Sequence, residues 1–242
     1  MAKANRFFIR GHHYHLTHRC HNGDYLLRFA RDRKAYRDLL RQYCKSYKVP
    51  LIGYCLTSNH VHLLIKVKSE GAVGDFMDAL QGDFAQKYNL RKGRFGSFWN
   101  GRYHATAIES SHHLWECLRY IDLNMVRAGV VEHPSEWPWC TYPELVGARK
   151  RYRIVDQKSF KQSFEQDFNN PAFIEFYSDF IQEAIEADLQ REPAWSESLA
   201  VGSREFVEEM SGKIRRRIRL DIHDYSQTSG RCILKEEGPL YS

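Results

Sequence analysis

Two histidines separated by one residue, His60 and His62, are the first residues of this sequence that could do chemistry. They begin a β-rich segment at residues 60–67, and alternate residues of a strand project from the same face of a sheet. Two imidazoles that lie side by side in this way can bind one metal ion. An H-x-H pair is weak evidence by itself, and the alternative is a pair of partly buried polar residues beside a turn.

Tyr120 and Asn124 are a second pair that could belong to the same site. They are four residues apart in a helical pattern at residues 112–128, so their side chains lie one above the other on one flank of the helix. If this helix crosses the sheet face that bears the histidines, a phenol and a side-chain carbonyl oxygen both point toward the metal. The alternative is an interface tyrosine beside a surface amide.

The order of strand and helix patterns predicts the fold that must position these residues. The patterns are a strand at residues 7–19, a helix at 28–48, strands at 51–56 and 60–67, a helix at 73–90 and a strand at 103–108. This order is typical of an α+β, ferredoxin-like (split βαβ) antiparallel sheet, to which the helix at 112–128 is added. A short polar turn, Thr57-Ser58-Asn59, predicts a hairpin between the second and third strands.

The second half of the chain has a different character. A basic segment at residues 149–153 is followed by mainly helical patterns. We therefore predict a catalytic domain at residues 1–147 and a mainly helical C-terminal extension at residues 148–242, which we expect to assist DNA binding.

Composition and charge indicate the kind of partner. The chain has 242 residues, a formal net charge of +6 and a pI near 8.9, which favours an anionic partner. Its six cysteines show no C-x-x-C spacing, so neither a zinc ribbon nor a dense disulfide framework is indicated. No segment approaches the ~20 apolar residues of a membrane span, and the N-terminus lacks a signal-peptide core. We expect a cytoplasmic protein with no membrane partner.

Two segments have the composition of DNA-contacting surfaces. Residues 91–103 interleave cations, glycines and aromatic residues, which suits phosphate contacts and base stacking. Residues 213–219 form a dense basic run, for which a merely solvated helix face is the alternative. The candidate DNA contacts are Arg91, Lys92, Arg94, Arg102, Arg127, Arg215 and Arg216.

Several separate stretches resemble one known family, the REP-associated tyrosine transposases, within the single-tyrosine HUH transposases of bacterial insertion sequences. The stretches occur in the family's order over most of residues 1–147. They are Tyr14-His15-Leu16-Thr17, Asn59-His60-Val61-His62-Leu63-Leu64, Gly101-Arg102-Tyr103, Arg119-Tyr120-Ile121-Asp122-Leu123-Asn124, Val126-Arg127-Ala128-Gly129 and Trp137-Pro138-Trp139.

The resemblance implies a metal-dependent enzyme that nicks and rejoins single-stranded or hairpin DNA. It implies that His60 and His62 bind a divalent ion, Mg or Mn, and that Asn124 matches the position of a third ligand. Tyr120 matches the nucleophile, whose product is a 5′-phosphotyrosine. The resemblance allows either a monomer or a homodimer. One departure is Met125, where family members usually have proline, and methionine at this position predicts a straighter helix around Tyr120.

Two other functions compete with this interpretation. The motif His15-Leu16-Thr17 is one of the two H-x-T or H-x-S motifs of RNA phosphoesterases that work without metal, but a second such motif is missing. A non-enzymatic ferredoxin-like module that binds nucleic acid would explain the charge. It would leave the set of His60, His62, Tyr120 and Asn124 unexplained.

Overall fold

The computed structural model describes residues 7–110, 112–187, 189–214, 220–225 and 230–236, so the predicted DNA contacts Arg215 and Arg216 lie outside the described residues. The strands within these ranges are β1 His13–Arg19, β2 Leu51–Leu56, β3 His60–Lys66, β4 His104–Ile108, β5 Ala200–Gly202, β6 Leu220–Asp224 and β7 Cys232–Glu236. The helices are α1 Ala30–Ser46, α2 Ala72–Lys92, α3 His112–Asp122, α4 Asn124–Arg127, α5 Tyr142–Leu145, α6 Gln157–Phe164, α7 Pro171–Glu186, α8 Ala194–Glu197 and α9 Arg204–Lys213.

The seven strands form one sheet in the order β2-β3-β1-β4-β5-β7-β6. The pairings among β1 to β4 are all antiparallel and have the order of a ferredoxin-like fold, which confirms the predicted architecture. In the register of β1 with β3, Thr17 lies opposite His62. Because β3 is central in this half of the sheet, its apolar residues are buried on both faces, as the continuous apolar pattern predicts.

The two faces of the sheet are covered by different helices. α1 and α2 pack against each other on one face, where the indole of Trp99 donates to the carbonyl oxygen of Gln81. The opposite face carries α3, α6 and α8, which contact strands of the first half of the sheet. Residues of the C-terminal extension therefore cover the same face of the sheet as the helix that carries Tyr120.

The C-terminal extension contains the predicted helices, α6 to α9, and also adds three strands to the sheet. β5 pairs in parallel with β4, so that Ala107 lies opposite Ala200, and β7 pairs antiparallel with β5. Sequence periodicity does not reveal β5, because three residues are too few to separate a strand from any other short apolar run.

The helix that carries Tyr120 is interrupted after Asp122. The backbone of Leu123 lies outside the helical region at φ −83° and ψ 5°, and α4 begins at the next residue. The interruption precedes Met125, and the effect of methionine in place of proline on this helix stays a prediction. A hydrogen-bond cluster fixes the turn: the carboxylate of Asp122 accepts from the backbone N–H groups of Thr141 and Tyr142 at 2.9 and 3.1 Å.

Asp122 also accepts from the hydroxyl of Tyr177 at 2.7 Å, so one fully buried carboxyl joins α3 to α7 of the extension. Burial raises the pKa of Asp122 to about 7, against the lowering effect of these hydrogen bonds. We expect Asp122→Ala to lower the free energy of unfolding by about 2–5 kcal/mol, because it leaves buried donors without acceptors. Asp122→Asn, which keeps one acceptor oxygen, should lower the free energy of unfolding by less than Asp122→Ala does.

Urea unfolding of the two variants and of wild type measures this difference. Asp78→Ala, at an exposed position of α2, is the matched control and should unfold like wild type. Equal midpoints for Asp122→Ala and the control would contradict a stabilising role for the cluster.

No helix in the described part of the chain is long and apolar enough to cross a membrane.

Candidate active site

The candidate nucleophile and the candidate metal ligands meet in one open cleft of about 520 Å³. β3 contributes His60 and His62, α3 contributes Tyr120 and α4 contributes Asn124. The cleft is lined by Thr17, His18, Arg19, His60, His62, Asn100, Arg102, His104, Tyr120, Asn124, Arg127, Ala128, Arg191, Ser196 and Glu197. Since four arginines and a single carboxylate are among these residues, the cleft suits an anionic ligand.

His62 is buried and makes a hydrogen bond through each ring nitrogen. Its Nδ1 lies 2.8 Å from Nε2 of His15, and its Nε2 lies 2.9 Å from the side-chain nitrogen of Asn124. Because an amide nitrogen donates, Nε2 of His62 carries the lone pair and Nδ1 carries the proton. The lone pair therefore faces Asn124 on the cleft side of the ring.

His60 has the same arrangement of proton and lone pair. Its Nδ1 lies 2.7 Å from the side-chain oxygen of Asn59, which can only accept, so Nδ1 carries the proton and Nε2 the lone pair. The imidazole rings of His60 and His62 lie 4.7 Å apart, centroid to centroid. Both rings thus offer Nε2 lone pairs at one end of the cleft.

The three neighbouring imidazoles of the site are neutral at physiological pH. Burial, followed by the positive charges of Arg19 and Arg127, lowers the pKa of His60 to about 3. Burial and the neighbouring His60 hold the pKa of His62 well below its usual value, and burial lowers the pKa of His15 to about 3. Metal ligation requires the neutral form of histidine, so both ligand candidates are in the required state.

The donor set fits a divalent ion with open coordination positions. The described residues contain no group of three or more His, Cys, Asp or Glu side chains that could hold a metal, which does not favour a closed structural zinc site. Two imidazole nitrogens and one amide oxygen remain as possible ligands. In the present arrangement Asn124 points its nitrogen at His62, and a rotation of the amide by half a turn would place its oxygen there instead.

Tyr120 packs edge-on against the histidines, with its ring centroid 6.2 Å from that of His62. The guanidinium of Arg127 lies 4.0 Å from the centroid of the same ring. Burial raises the pKa of the Tyr120 hydroxyl, whereas Arg127, Arg191 and a hydrogen bond with Ser196 lower it. Two arginines beside the phenol thus oppose the effect of burial on its pKa.

The predicted DNA contacts are divided between two places. Arg102 and Arg127 line the cleft. Arg91 and Lys92 lie at the end of α2, where Arg91 pairs with the buried carboxylate of Asp32 and the Lys92 ammonium is 3.9 Å from it. Arg94 donates to the backbone carbonyl of Ser97 at 2.8 Å and braces the loop after α2. The contribution of these last three to DNA contact stays a prediction.

The structure adds residues that sequence reasoning did not place in the site. Arg191, Ser196 and Glu197 come from the C-terminal extension and line the cleft, although no motif marks them. His15 was noted in an H-x-T motif and in a stretch that resembles the family, but with no role in the site, and it lies behind His62. Strand alternation could have placed His15 on the face that bears the histidines, but the pairing of β1 with β3 was needed to put it beside His62.

Comparisons with known proteins show similarities in sequence and in fold. Residues 9–124 match the family model described as "Transposase IS200 like". A putative REP-associated tyrosine transposase of Haemophilus influenzae is 25% identical over 123 residues, which cover 47% of this chain and 70% of that protein. The structure of a REP-associated tyrosine transposase bound to a REP hairpin is similar in fold, with a TM-score of 0.50, 21% identity and coverage of 64% of this chain and 91% of the other.

Proposed function

We propose that this chain nicks and rejoins single-stranded DNA, with Tyr120 as the nucleophile and His60, His62 and Asn124 as ligands of a divalent ion, since its residues 9–124 match the model of the IS200-like transposase family. The observation that carries this proposal is the meeting of Tyr120 with both histidines in one arginine-lined cleft. Segments that are far apart in sequence supply these groups, and the combination suits phosphoryl transfer.

The chain's own residues perform the following steps. Arg19, Arg102 and Arg127 bind the phosphates of the strand and orient the scissile one. The hydroxyl of Tyr120 loses its proton, and its oxygen attacks phosphorus as the bond to the 3′ oxygen breaks. The leaving oxygen takes a proton and becomes a free 3′-hydroxyl. A 3′-hydroxyl of another strand reverses these bond changes, because the phosphodiester is conserved in the phosphotyrosine.

The ion, Mg or Mn, would supply charge withdrawal from the phosphate when bound. Its ligands would be Nε2 of His60, Nε2 of His62 and the side-chain oxygen of Asn124 after rotation of its amide. Oxygen ligands and a phosphate favour Mg or Mn, although imidazoles tolerate several transition metals.

The proposed partner is single-stranded or hairpin DNA. The net charge of +6 and the four arginines of the cleft support an anionic strand. The REP-associated tyrosine transposase whose structure is similar in fold is bound to a REP hairpin, so a hairpin is the first substrate to test. The histidines and Tyr120 meet within one chain, so we propose that a monomer has a complete site.

The competing functions fit the geometry less well. A two-histidine phosphoesterase needs its histidines free to exchange protons with substrate, but His15 is fully buried and both of its ring nitrogens are hydrogen-bonded. A binding module that stacks bases on an open sheet needs an uncovered face. Helices cover both faces of β1, whose residues 13–16 are all buried.

Arg127 is expected to set the pH dependence of cleavage. Its guanidinium lowers the pKa of the Tyr120 hydroxyl, so Arg127→Leu should raise that pKa. A more basic phenol ionises at higher pH, and the rising limb of the rate against pH should therefore move to higher pH. At neutral pH we expect a loss of roughly 100-fold, typical of one removed electrostatic contact.

Single-turnover cleavage measured from about pH 7 to about pH 11 checks this prediction, because the Tyr120 pKa is raised above the usual tyrosine value of about 10. Arg119→Leu is the matched control, because Arg119 precedes Tyr120 but stacks on Phe180 and does not line the cleft. A pH profile of Arg127→Leu that coincides with that of the control would mean that Arg127 does not act on the phenol.

The proposal as a whole is tested by incubating the chain with a labelled hairpin oligonucleotide that has a single-stranded flank. Nicking that requires Mg or Mn and leaves DNA bound covalently to the protein would support it. Cleavage in excess EDTA without an adduct would favour a two-histidine phosphoesterase. DNA binding without cleavage would favour a non-enzymatic module that binds nucleic acid.

A further inference from the structure

A hydrogen-bond chain runs from the C-terminal extension to the candidate ligand His62. The backbone carbonyl oxygen of Trp195 lies 2.7 Å from Nδ1 of His15. Nε2 of His15 lies 2.8 Å from Nδ1 of His62. Trp195 belongs to α8 and is 180 residues from His15 in sequence, so this contact exists only in the folded chain.

The donor and the acceptor of each of these hydrogen bonds can be assigned by starting from the carbonyl of Trp195. A carbonyl oxygen can only accept, so Nδ1 of His15 carries the proton. In a neutral imidazole the other nitrogen, Nε2, then has the lone pair and accepts from Nδ1 of His62. His62 in turn is left with its lone pair on Nε2, which faces the cleft. The argument does not depend on how the amide of Asn124 is oriented.

We infer that His15 is a positioning residue for His62, and that the C-terminal extension fixes it through the carbonyl of Trp195. This inference rests on the proposed function, in which His62 binds the ion through Nε2. A hydrogen bond to the far nitrogen of a ligating histidine fixes its tautomer and ring orientation, and its loss typically weakens metal binding 10- to 100-fold. The extension is then part of the catalytic centre.

Contacts on both sides hold this carbonyl in place. The guanidinium of Arg231 lies 4.7 Å from the centroid of the Trp195 ring and pairs with Glu116 of α3 and with Glu192. Three residues after Trp195, the carbonyl oxygen of Ser198 accepts from the hydroxyl of Thr106 on β4 at 2.7 Å. The segment around α8 is thus anchored both to the helix that carries Tyr120 and to the sheet.

Replacement of His15 in the full chain tests the inference. His15→Phe fills the same space but removes both hydrogen bonds. His15→Gln can restore both, because its amide nitrogen can donate to the Trp195 carbonyl and its oxygen can accept from His62. His13→Phe is the matched control: His13 is a buried histidine on the same strand and face, but it bonds Ser163 at 2.8 Å and does not touch His62.

Two measurements separate positioning from a general loss of structure. The first is the affinity for Mn²⁺, titrated by electron paramagnetic resonance. The second is the position of the ring proton of His62 in the metal-free protein, read from long-range proton–nitrogen spectra and assigned with His62→Ala. Thermal melting of every variant shows whether it is folded.

We expect His15→Phe to weaken Mn²⁺ binding roughly 10- to 100-fold and to remove the preference of His62 for a proton on Nδ1. His15→Gln should recover both properties, and His13→Phe should change neither. Wild-type affinity and an unchanged His62 spectrum in His15→Phe would overturn the inference and leave the proposed function intact. Wild-type Mn²⁺ affinity in His62→Ala would overturn the metal site itself, and with it the inference.

Discussion

Tyr120→Phe is expected to bind single-stranded DNA like wild type and to form neither a covalent adduct nor a nick. The substitution keeps the ring, so its packing against His62 and its contact with Arg127 remain, and it removes the attacking oxygen. Loss of the nucleophile should lower the cleavage rate by roughly a thousandfold or more, as when the nucleophile of another covalent enzyme is removed.

The assay uses an oligonucleotide labelled at its 3′ end, because the fragment that begins with the 5′-phosphate is the one expected on the protein. The adduct should survive boiling in detergent, and peptide mapping should place it on Tyr120. Tyr103→Phe is the control, since Tyr103 is a buried tyrosine that packs near His18. Retention of the adduct in Tyr120→Phe, or its loss in Tyr103→Phe alone, would contradict the assignment of Tyr120 as the nucleophile.

His60→Ala and His62→Ala should each abolish cleavage and leave DNA binding mostly intact. In the proposed mechanism the ion would stabilise the charge that develops in the transition state, whereas the arginines of the cleft would hold the strand. A metal ion typically stabilises such a transition state by several kcal/mol, so we expect the cleavage rate to fall by roughly a thousandfold. Asn124→Ala should lower the cleavage rate less than either histidine variant. Added Mn should partly restore that rate, because water can replace one neutral ligand.

Gel shifts report binding and single-turnover nicking reports cleavage for the same proteins. His112→Ala, at an exposed position in the first turn of α3, is the control and should behave like wild type. An equal loss of binding and cleavage in the two β3 variants would indicate that the histidine pair is structural. Cleavage by His62→Ala at the wild-type rate would exclude it from the metal site.

Much of the first half of the fold follows from local sequence patterns. Alternation along β3 placed His60 and His62 on one face, and the spacing of four placed Tyr120 above Asn124. Apolar periodicity gave the order of the first four strands and their helices, which the sheet confirms. These features are local, because each depends on residues a few positions apart in the chain.

Helix ends were harder to place from sequence than helix positions. The predicted helix at residues 112–128 is two helices, and the carboxylate of Asp122, at the end of the first one, accepts from backbone groups of Thr141 and Tyr142, about twenty residues later. The boundary between a catalytic domain and an extension, placed at residue 147, stays a prediction. Residues on both sides of it line the same cleft.

Charge in the sequence did not determine where each cation acts. Arg91 and Arg127 look alike as basic residues, but Arg91 neutralises the buried Asp32 and Arg127 lies over Tyr120. A buried carboxylate needs a cation beside it, and the cation closest in space need not be close in sequence.

The sequence by itself determined the types and spacing of the reactive groups and the strands and helices that carry them. Tertiary structure alone decided that the extension contributes to the site. The carbonyl of Trp195 accepts a hydrogen bond from His15, and Arg191 lies near Tyr120. The physical reason is that periodicity encodes which face of an element is apolar but not which distant element will cover it. That choice depends on the packing and hydrogen bonding of the whole chain, to which segments with no pattern of their own also contribute.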